Sequence, residues 1–310
     1  MNLLDPFLNK QGFVVLDGGL ATEMERHGAD LDHELWSAKV LLDSPALIHR
    51  VHAEFLAAGA DIIATATYQA SIEGFRRAGY TEEQSAGLME LAVELAVSAR
   101  DDFWAGLKNV GGREKPLVAA SIGPYGACLH DGSEYHGNYG LSRQQLIDFH
   151  RPRMAILAAT GADLFAIETL PSKLEAEALL ELLMEFPERQ AVLSFSCRDG
   201  QHLSHGESFA ECAALADTSG QIIAVGVNCT SPEHIASLLS AAQGISTPLV
   251  AYPNSGENWS ADSQRWEGQA VCQFDVNEWF SLGARVIGGC CRTTVEDIRK
   301  IRAELLAGAD

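Results

Sequence analysis

Short runs of apolar, mostly β-branched residues alternate along the chain with longer segments whose apolar residues recur at helical spacing. This alternation is typical of parallel strands that are covered by crossover helices. We predict eight strands, at 13–19, 61–68, 116–124, 163–170, 191–197, 222–229, 248–255 and 284–291. Each pair of strands is separated by at least one segment that can form a helix, so the pattern predicts an α/β fold.

Three of the predicted helices end in a glycine shortly before the next strand, at Gly59, Gly161 and Gly283. Glycine readily adopts the left-handed backbone conformation that ends many helices. Eight units of helix, glycine stop and strand fit a closed (β/α)8 TIM barrel, with an open doubly wound sheet as the alternative. Because no linker or change of composition marks a boundary, we expect one barrel domain over 1–310.

Composition and charge narrow the classes of function. The 310 residues are 47% hydrophobic and 21% charged, which is typical of a globular protein with a large core. A formal net charge of -20 would repel phosphate backbones and anionic lipid, so we expect neither nucleic acid nor a membrane as a partner. Asp5, Pro6 and Lys10 interrupt the stretch where a secretory signal needs an apolar run, which predicts a cytoplasmic protein.

Sulfur-containing side chains follow two of the predicted strands. Cys229 ends the sixth strand, and Cys290 and Cys291 end the eighth. Only the seventh strand separates these two in a closed barrel, and the active site of such a barrel lies at the carboxyl ends of its strands. The three thiols can therefore meet at one rim.

The adjacent pair can serve one metal only if the backbone leaves strand geometry, because neighbouring residues of a regular strand point to opposite faces. Gly288 and Gly289 before the pair make such a departure plausible. After the pair, Thr293 and Glu296 have the spacing of a capping box for the last helix.

Three thiolates leave one position of a tetrahedral zinc site open for a substrate, and thiolate ligands favour zinc over hard cations such as magnesium. Spacing alone leaves two other interpretations open: a different zinc enzyme on the same barrel, such as a hydrolase, and a non-catalytic protein with structural or redox-sensing cysteines. We interpret the other four cysteines as core packing; they are Cys128, Cys197, Cys212 and Cys272.

Five segments at predicted strand ends together resemble the homocysteine S-methyltransferase family over essentially the whole chain. They are LDGGLATEME at 16–25, AIETLPS at 166–172, GVNC at 226–229, YPNSGE at 252–257 and GGCCRTT at 288–294. The resemblance implies a (β/α)8 barrel with one zinc ion per chain, held by Cys229, Cys290 and Cys291.

The same resemblance implies that the carboxylate and amine of homocysteine lie near the first and fourth strands. Here those positions are Asp17, Gly18, Gly19 and Glu168. Successive backbone N–H groups at the two glycines can close around a carboxylate, while the two acidic side chains can accept hydrogen bonds from an ammonium group.

The implied reaction transfers a methyl group from a sulfonium donor to the zinc-bound thiolate of L-homocysteine and gives methionine. The segment DGSEYHGNY at 131–139 resembles the branch that uses S-methyl-L-methionine, with S-adenosyl-L-methionine as the larger related donor. The chain is too short for the modules of a cobalamin-dependent enzyme, so we expect no cobalamin as a partner. A betaine-dependent enzyme is the alternative, although Gln69 stands where that branch has an aromatic residue.

Aromatic rings attract a sulfonium or quaternary ammonium ion. The candidates for binding the donor are Trp36, Tyr68, Tyr125 and Tyr135.

Two histidine pairs have a spacing that metal ligands can have. We interpret His49 and His52 as the solvent-facing side of a helix. His202 and His205 fall in the loop after the fifth strand, and the sequence assigns them no role.

Overall fold

The computed structural model describes residues 2–30, 37–109, 111–129, 131–260, 265–268, 270 and 274–308. Its strands are β1 (Val14–Val15), β2 (Ile62–Ala64), β3 (Leu117–Ile122), β4 (Leu164–Leu170), β5 (Ala191–Phe195), β6 (Ile222–Asn228), β7 (Leu249–Tyr252), β8 (Asn258–Ser260), β9 (Arg265–Glu267) and β10 (Ala284–Ile287). Its helices are α1 (Asp5–Gln11), α2 (Leu20–Arg26), α3 (Ser37–Asp43), α4 (Pro45–Ala58), α5 (Ile72–Arg77), α6 (Glu82–Gly106), α7 (Arg143–Ala158), α8 (Lys173–Leu183), α9 (Phe209–Ala213), α10 (Pro232–Ala241), α11 (Val276–Ser281) and α12 (Val295–Gly308).

Eight of the strands form one parallel sheet in the order β1-β10-β7-β6-β5-β4-β3-β2. A parallel bridge between Leu16 and Ile62 joins its two ends, where the backbone N–H of Asp17 donates to the Ile62 carbonyl at 3.0 Å. The sheet is therefore closed, and the (β/α)8 TIM barrel is confirmed over the open alternative. The short strands β8 and β9 form a separate antiparallel pair after β7.

All eight predicted barrel strands are present, but most end earlier than predicted. The eighth leaves the sheet at Ile287 rather than at Cys291, and the sixth ends at Asn228. Cys229 follows with a φ of 46°, a left-handed conformation that a pleated strand cannot contain. The active rim thus begins where the strand geometry stops.

The predicted glycine stops are confirmed at Gly59 and Gly283, whose φ angles are 118° and 103°. The prediction was wrong at Gly161, which does not have a positive φ, and α7 ends without a left-handed residue. Instead, the hydroxyl of Thr160 donates to the Leu157 carbonyl at 2.7 Å and satisfies one of the carbonyls left free at the helix end.

The capping box of α12 was predicted one residue too early. Thr294 forms it with Asp297: the Asp297 carboxylate accepts from the Thr294 backbone N–H at 2.9 Å and from its hydroxyl at 2.7 Å. The Asp297 backbone N–H in turn donates to the Thr294 hydroxyl at 3.4 Å. Thr293 is left for a different contact in the active rim.

The amino-terminal helix α1 covers the mouth of the barrel opposite that rim. Leu4 and Phe7 are buried there and pack with inward-facing strand residues such as Val14 and Leu164. Their burial extends the interior core beyond the first layer of strand side chains. None of the helices in the described ranges is long and apolar enough to span a membrane.

Candidate active site

The three cysteines after β6 and β10 converge. Their Sγ atoms lie within 4.8 Å of one another, and those of Cys229 and Cys291 are 3.7 Å apart. Cys229 and Cys290 are joined by a disulfide in this structure. After β10 the backbone turns, with the Thr293 N–H donating to the Cys290 carbonyl at 3.2 Å, which allows adjacent cysteines to approach one point.

The loops after β1 and β10 interlock. The Gly289 N–H donates to the Asp17 carbonyl at 3.0 Å, and the Thr293 hydroxyl donates to the Cys290 carbonyl at 2.6 Å. A Cβ atom at Gly19 would stand 2.8 Å from that same carbonyl oxygen, so this close approach requires glycine. The Gly19 N–H already donates to the Thr293 hydroxyl at 3.1 Å, and a carboxylate bound there would have to displace it.

Asn228 fixes the backbone beside the cysteines. Its Oδ1 accepts from the Thr169 N–H at 2.8 Å, and its Nδ2 donates to the Thr169 hydroxyl at 2.7 Å. Thr169 holds a left-handed φ of 62°, and Asn228 Nδ2 also lies 3.8 Å from Cys290 Sγ. This positioning role was missed from the sequence, where the only signal was an asparagine directly before Cys229.

Two carboxylates are buried together at this rim, and the charge of one of them, Glu168, acts on the Cys291 thiol. Asp17 accepts from the Ala64 N–H at 2.8 Å, and Glu168 accepts from the hydroxyls of Ser121 and, at 3.2 Å, of Tyr252. Burial, and in the case of Asp17 also the charge of Glu168, raises the pKa of both groups. Neither carboxylate is paired with a cationic side chain of the described ranges in the contacts that shift its pKa.

The comparisons with known proteins agree with this geometry. The sequence model described as homocysteine S-methyltransferase matches residues 14–305. The chain belongs to this family. It is 48% identical over 307 residues to homocysteine S-methyltransferase YbgG of Bacillus subtilis, and the match covers 98% of each chain.

Two solved structures of the Escherichia coli homocysteine methyltransferase MmuM are similar over nearly the whole chain, each at 44% identity. The metallated form has a TM-score of 0.87 and covers 97% of this chain and 99% of its own. The oxidized form has a TM-score of 0.88 and covers 98% and 100%. The protein is therefore an enzyme of the homocysteine S-methyltransferase family.

Of the four aromatic residues predicted to bind the methyl donor, the structure brings two near the cysteines. Burial raises the pKa of both Tyr68 and Tyr135, and the charges of Glu134 and Cys291 act on each of them. Tyr125 is directed elsewhere, because its ring packs on Phe149 and its hydroxyl neighbours include Glu73 and Arg77. Trp36 lies outside the described residues.

Glu134 is a second residue that the sequence interpretation missed, although it lies inside the 131–139 segment. Its Oε2 is buried without a hydrogen-bond partner among the residues of the described ranges. Burial raises its pKa to about 7, and the negative charge of Asp131 acts in the same direction. The signal was an acidic residue directly before Tyr135 in a loop expected at the active rim.

Neither histidine pair joins the cysteine cluster that the described residues form. The Nδ1 atoms of His202 and His205 lie 3.0 Å from carboxylate oxygens of Asp199 and Glu207 in their own loop. His52 is fully buried, so the expected solvent-facing pair was wrong for this residue. Burial lowers its pKa to about 3, which keeps the ring neutral.

The other cysteines fit the packing interpretation where they are described. Cys128, Cys197 and Cys212 are buried, and burial raises the pKa of each thiol. Cys272 lies outside the described residues. A second cluster with the spacing of metal ligands joins Glu23, His27 and Glu54, but Arg26 and Arg50 pair with its two carboxylates.

Proposed function

We propose that this enzyme transfers a methyl group from a sulfonium amino acid, S-methylmethionine or S-adenosylmethionine, to the thiol of homocysteine, with a zinc ion held by Cys229, Cys290 and Cys291. The observation that carries the proposal is the convergence of three cysteine sulfurs near Glu168, whose charge acts on Cys291 and on the buried Asp17. A homocysteine molecule needs both features, because it presents a thiol and an ammonium group at opposite ends.

The cysteine cluster fits zinc. Two sulfurs bound to one tetrahedral zinc at about 2.3 Å stand about 3.8 Å apart, and the sulfurs of Cys229 and Cys291 are 3.7 Å apart. Burial and then the charges of Glu168 and Glu134 raise the pKa of the Cys291 thiol to about 12. A bound cation would offset this cost of a thiolate, and reduction of the disulfide would supply the other two ligands.

When bound, zinc supplies a Lewis acid that favours the deprotonated form of a thiol sulfur completing its fourth position. The protein's own residues hold the substrates in place. Asp17 and Glu168 orient the homocysteine ammonium, and the hydroxyls of Ser121 and Tyr252 fix the Glu168 carboxylate. The rings of Tyr68 and Tyr135 face the donor's positive sulfur.

In the transfer, the homocysteine sulfur forms a bond to the donor methyl carbon while the bond from that carbon to the donor sulfur breaks. The donor leaves as a neutral thioether, and the thiol proton is lost from homocysteine. Because the bond-making sulfur and the leaving sulfur must stand in line with the methyl carbon, most of the protein's contribution is orientation.

A metal assay tests the zinc site. Protein purified under a mild reductant is expected to contain about one zinc per chain, and Cys229→Ala and Cys291→Ala to lose both metal and activity. Cys212→Ala is the control, because Cys212 is a buried cysteine of α9 that lies outside the cluster. A metal-free protein with full activity would rule out the proposed zinc site.

A donor assay tests the reaction. Methionine formation from homocysteine is measured separately with S-methylmethionine, S-adenosylmethionine and betaine at equal concentrations. We expect turnover with the sulfonium donors. Turnover with betaine alone would instead support the betaine-dependent alternative.

A further inference from the structure

The buried Oε2 of Glu134 accepts no hydrogen bond from any residue that the structure describes. Burying a carboxylate oxygen without a hydrogen bond is costly, so native structures seldom retain one without a ligand or water to satisfy it. The negative charge of Asp131 raises the pKa of this carboxylate, so Asp131 repels a charge on Glu134 and does not compensate it. The described residues therefore leave Glu134 in need of both a hydrogen-bond donor and a positive charge.

Glu134 borders the reaction centre. The loop that carries it packs at Gly137 against Pro171, three residues after Glu168. The charge of Glu134 also raises the pKa of Tyr68, of Tyr135 and of the Cys291 thiol, so the carboxylate lies within electrostatic reach of all three groups. The charge of Glu168, which we assign to the homocysteine ammonium, also raises the pKa of the Cys291 thiol. The site thus has one acidic receptor for the acceptor substrate and a second acidic group without an assigned partner.

The backbone of Glu134 is held in place by packing. A Cβ atom at Gly126 would stand 2.5 Å from the Glu134 nitrogen, so the two chain segments are in close contact. The Ser133 N–H donates to Asp131 at 2.9 Å, and a Cβ at Gly137 would stand 3.2 Å from Pro171 in the loop after β4. Because packing and hydrogen bonds fix the backbone of this turn, the side chain of Glu134 can select a ligand by its position as well as by its charge.

A ligand that gives Glu134 both a hydrogen-bond donor and a positive charge is a cation that carries N–H groups. A sulfonium sulfur and a quaternary nitrogen are positive but have no hydrogen to donate, so neither satisfies Oε2. A primary ammonium group has three N–H donors. Its charge also stays constant through the reaction, whereas the sulfonium charge disappears, so a carboxylate on the ammonium does not stabilise the ground state over the transition state.

We propose that Glu134 binds the α-ammonium group of the methyl donor and thereby makes the enzyme selective for amino-acid sulfonium donors. This inference rests on the proposed function, because it requires a sulfonium amino acid as the donor. It predicts that S-methylmethionine and S-adenosylmethionine are preferred over methyl donors that lack an amine, whatever the charge on their sulfur or nitrogen.

The test compares two donors that differ only in the amine: S-methylmethionine and its desamino analogue, 4-dimethylsulfoniobutanoate. Glu134→Gln is expected to lower kcat/KM for S-methylmethionine by about 10- to 100-fold, the effect of losing one charge-assisted hydrogen bond. The loss should be mainly in the donor KM. The desamino analogue should change less than about threefold, and the KM for homocysteine should stay the same.

Asp131→Asn is the matched control, because it removes the same charge from the same loop at an exposed position and keeps the oxygen that accepts from Ser133. It should retain the wild-type preference for S-methylmethionine. Glu134→Asp, which keeps the charge on a shorter side chain, should lie between wild type and Glu134→Gln. Calorimetric titration of S-methylmethionine into each variant provides a binding readout independent of turnover, and thermal melting verifies that each variant is folded.

The outcomes separate two failures. A Glu134→Gln variant that loses both donors equally, raises the KM for homocysteine, or keeps the wild-type preference would overturn the role of Glu134 alone. A wild-type enzyme that uses neither S-methylmethionine nor S-adenosylmethionine would overturn the proposed donor class, and the role of Glu134 with it.

Discussion

Glu168 is held in a conformation that suits a ligand better than it suits the ligand-free protein. It is buried, faces the equally buried Asp17, and has two hydroxyl groups but no described cation beside it. The pKa of Glu168 is raised by burial, so its ionised form is disfavoured when the protein folds. An ammonium group would compensate that cost on binding, which is one way for a site to trade stability for affinity.

Glu168→Gln should separate these two effects. Burial raises the pKa of Glu168 in the folded protein, so its contribution to stability is fully present below the ordinary pKa of a glutamate and is lost as pH rises through the raised pKa. Glutamine does not titrate. The metal-free variant should therefore gain thermal stability relative to wild type as pH rises above the ordinary pKa of a glutamate, as measured by melting curves.

The same substitution should impair binding. Losing a charge-assisted hydrogen bond costs about 1.5–3 kcal/mol, which corresponds to a 10- to 100-fold higher KM for homocysteine. Glu188→Gln, at an exposed position, serves as the control and should change neither quantity. A Glu168→Gln enzyme with an unaltered KM for homocysteine would remove Glu168 from the substrate site.

At the scale of single elements, α1 contributes packing but no chemistry. Phe7 is 2% exposed and packs into the amino-terminal mouth of the barrel, while Gln11 donates to Asp61 at 2.8 Å and Lys10 pairs with Glu114 at 2.7 Å. These contacts lie at the starts of the strands, whereas the cysteines follow their carboxyl ends. Stability and activity should therefore respond independently to changes in this helix.

Phe7→Ala is expected to destabilise the protein by about 3–5 kcal/mol, because a buried phenylalanine leaves both lost burial and a cavity. Urea denaturation should show the loss as a lower midpoint. Asn9→Ala, on an exposed position of the same helix, should stay within about 0.5 kcal/mol of wild type. If kcat/KM fell in Phe7→Ala at a temperature where it remains folded, the two ends of the barrel would be coupled.

At the scale of the whole molecule, Asp61 joins the first and last parts of the barrel. Its carboxylate accepts from the Val15 N–H at 3.0 Å and from Arg302 of α12 at 3.0 Å, in addition to Gln11. Arg302 also donates to the Gly59 carbonyl at 2.8 Å. These hydrogen bonds lie at the seam, the place where the segment after β1 pairs with β2 and closes the sheet.

Asp61→Ala should cost about 3–5 kcal/mol, the range found when one partner of a buried ion pair is removed and the other is left uncompensated. The Val15 N–H would lose its partner as well. Denaturation followed by circular dichroism measures the change, with the exposed Glu233→Ala as a control expected to be neutral. A loss below 1 kcal/mol would show that the seam does not depend on this carboxylate.

The features that the sequence predicted correctly are those that depend on residues close together in the chain. Each barrel strand is a local run of apolar residues, and Gly59 and Gly283 end helices through their own backbone freedom. Closure of a parallel sheet then brings Cys229, Cys290 and Cys291 to one rim, because strand order fixes which carboxyl ends are neighbours.

Tertiary structure alone decided the roles that depend on which loops pack together. The sequence placed Tyr125 with Tyr135 as equal candidates, but ring packing on Phe149 turns only Tyr125 away from the cysteines. It offered an asparagine before Cys229 and an acidic residue before Tyr135, but not that Asn228 holds Thr169 or that Glu134 Oε2 is buried without a partner among the described residues. Burial and hydrogen bonding are properties of contacts between segments far apart in the chain, so they exist only once the barrel has closed.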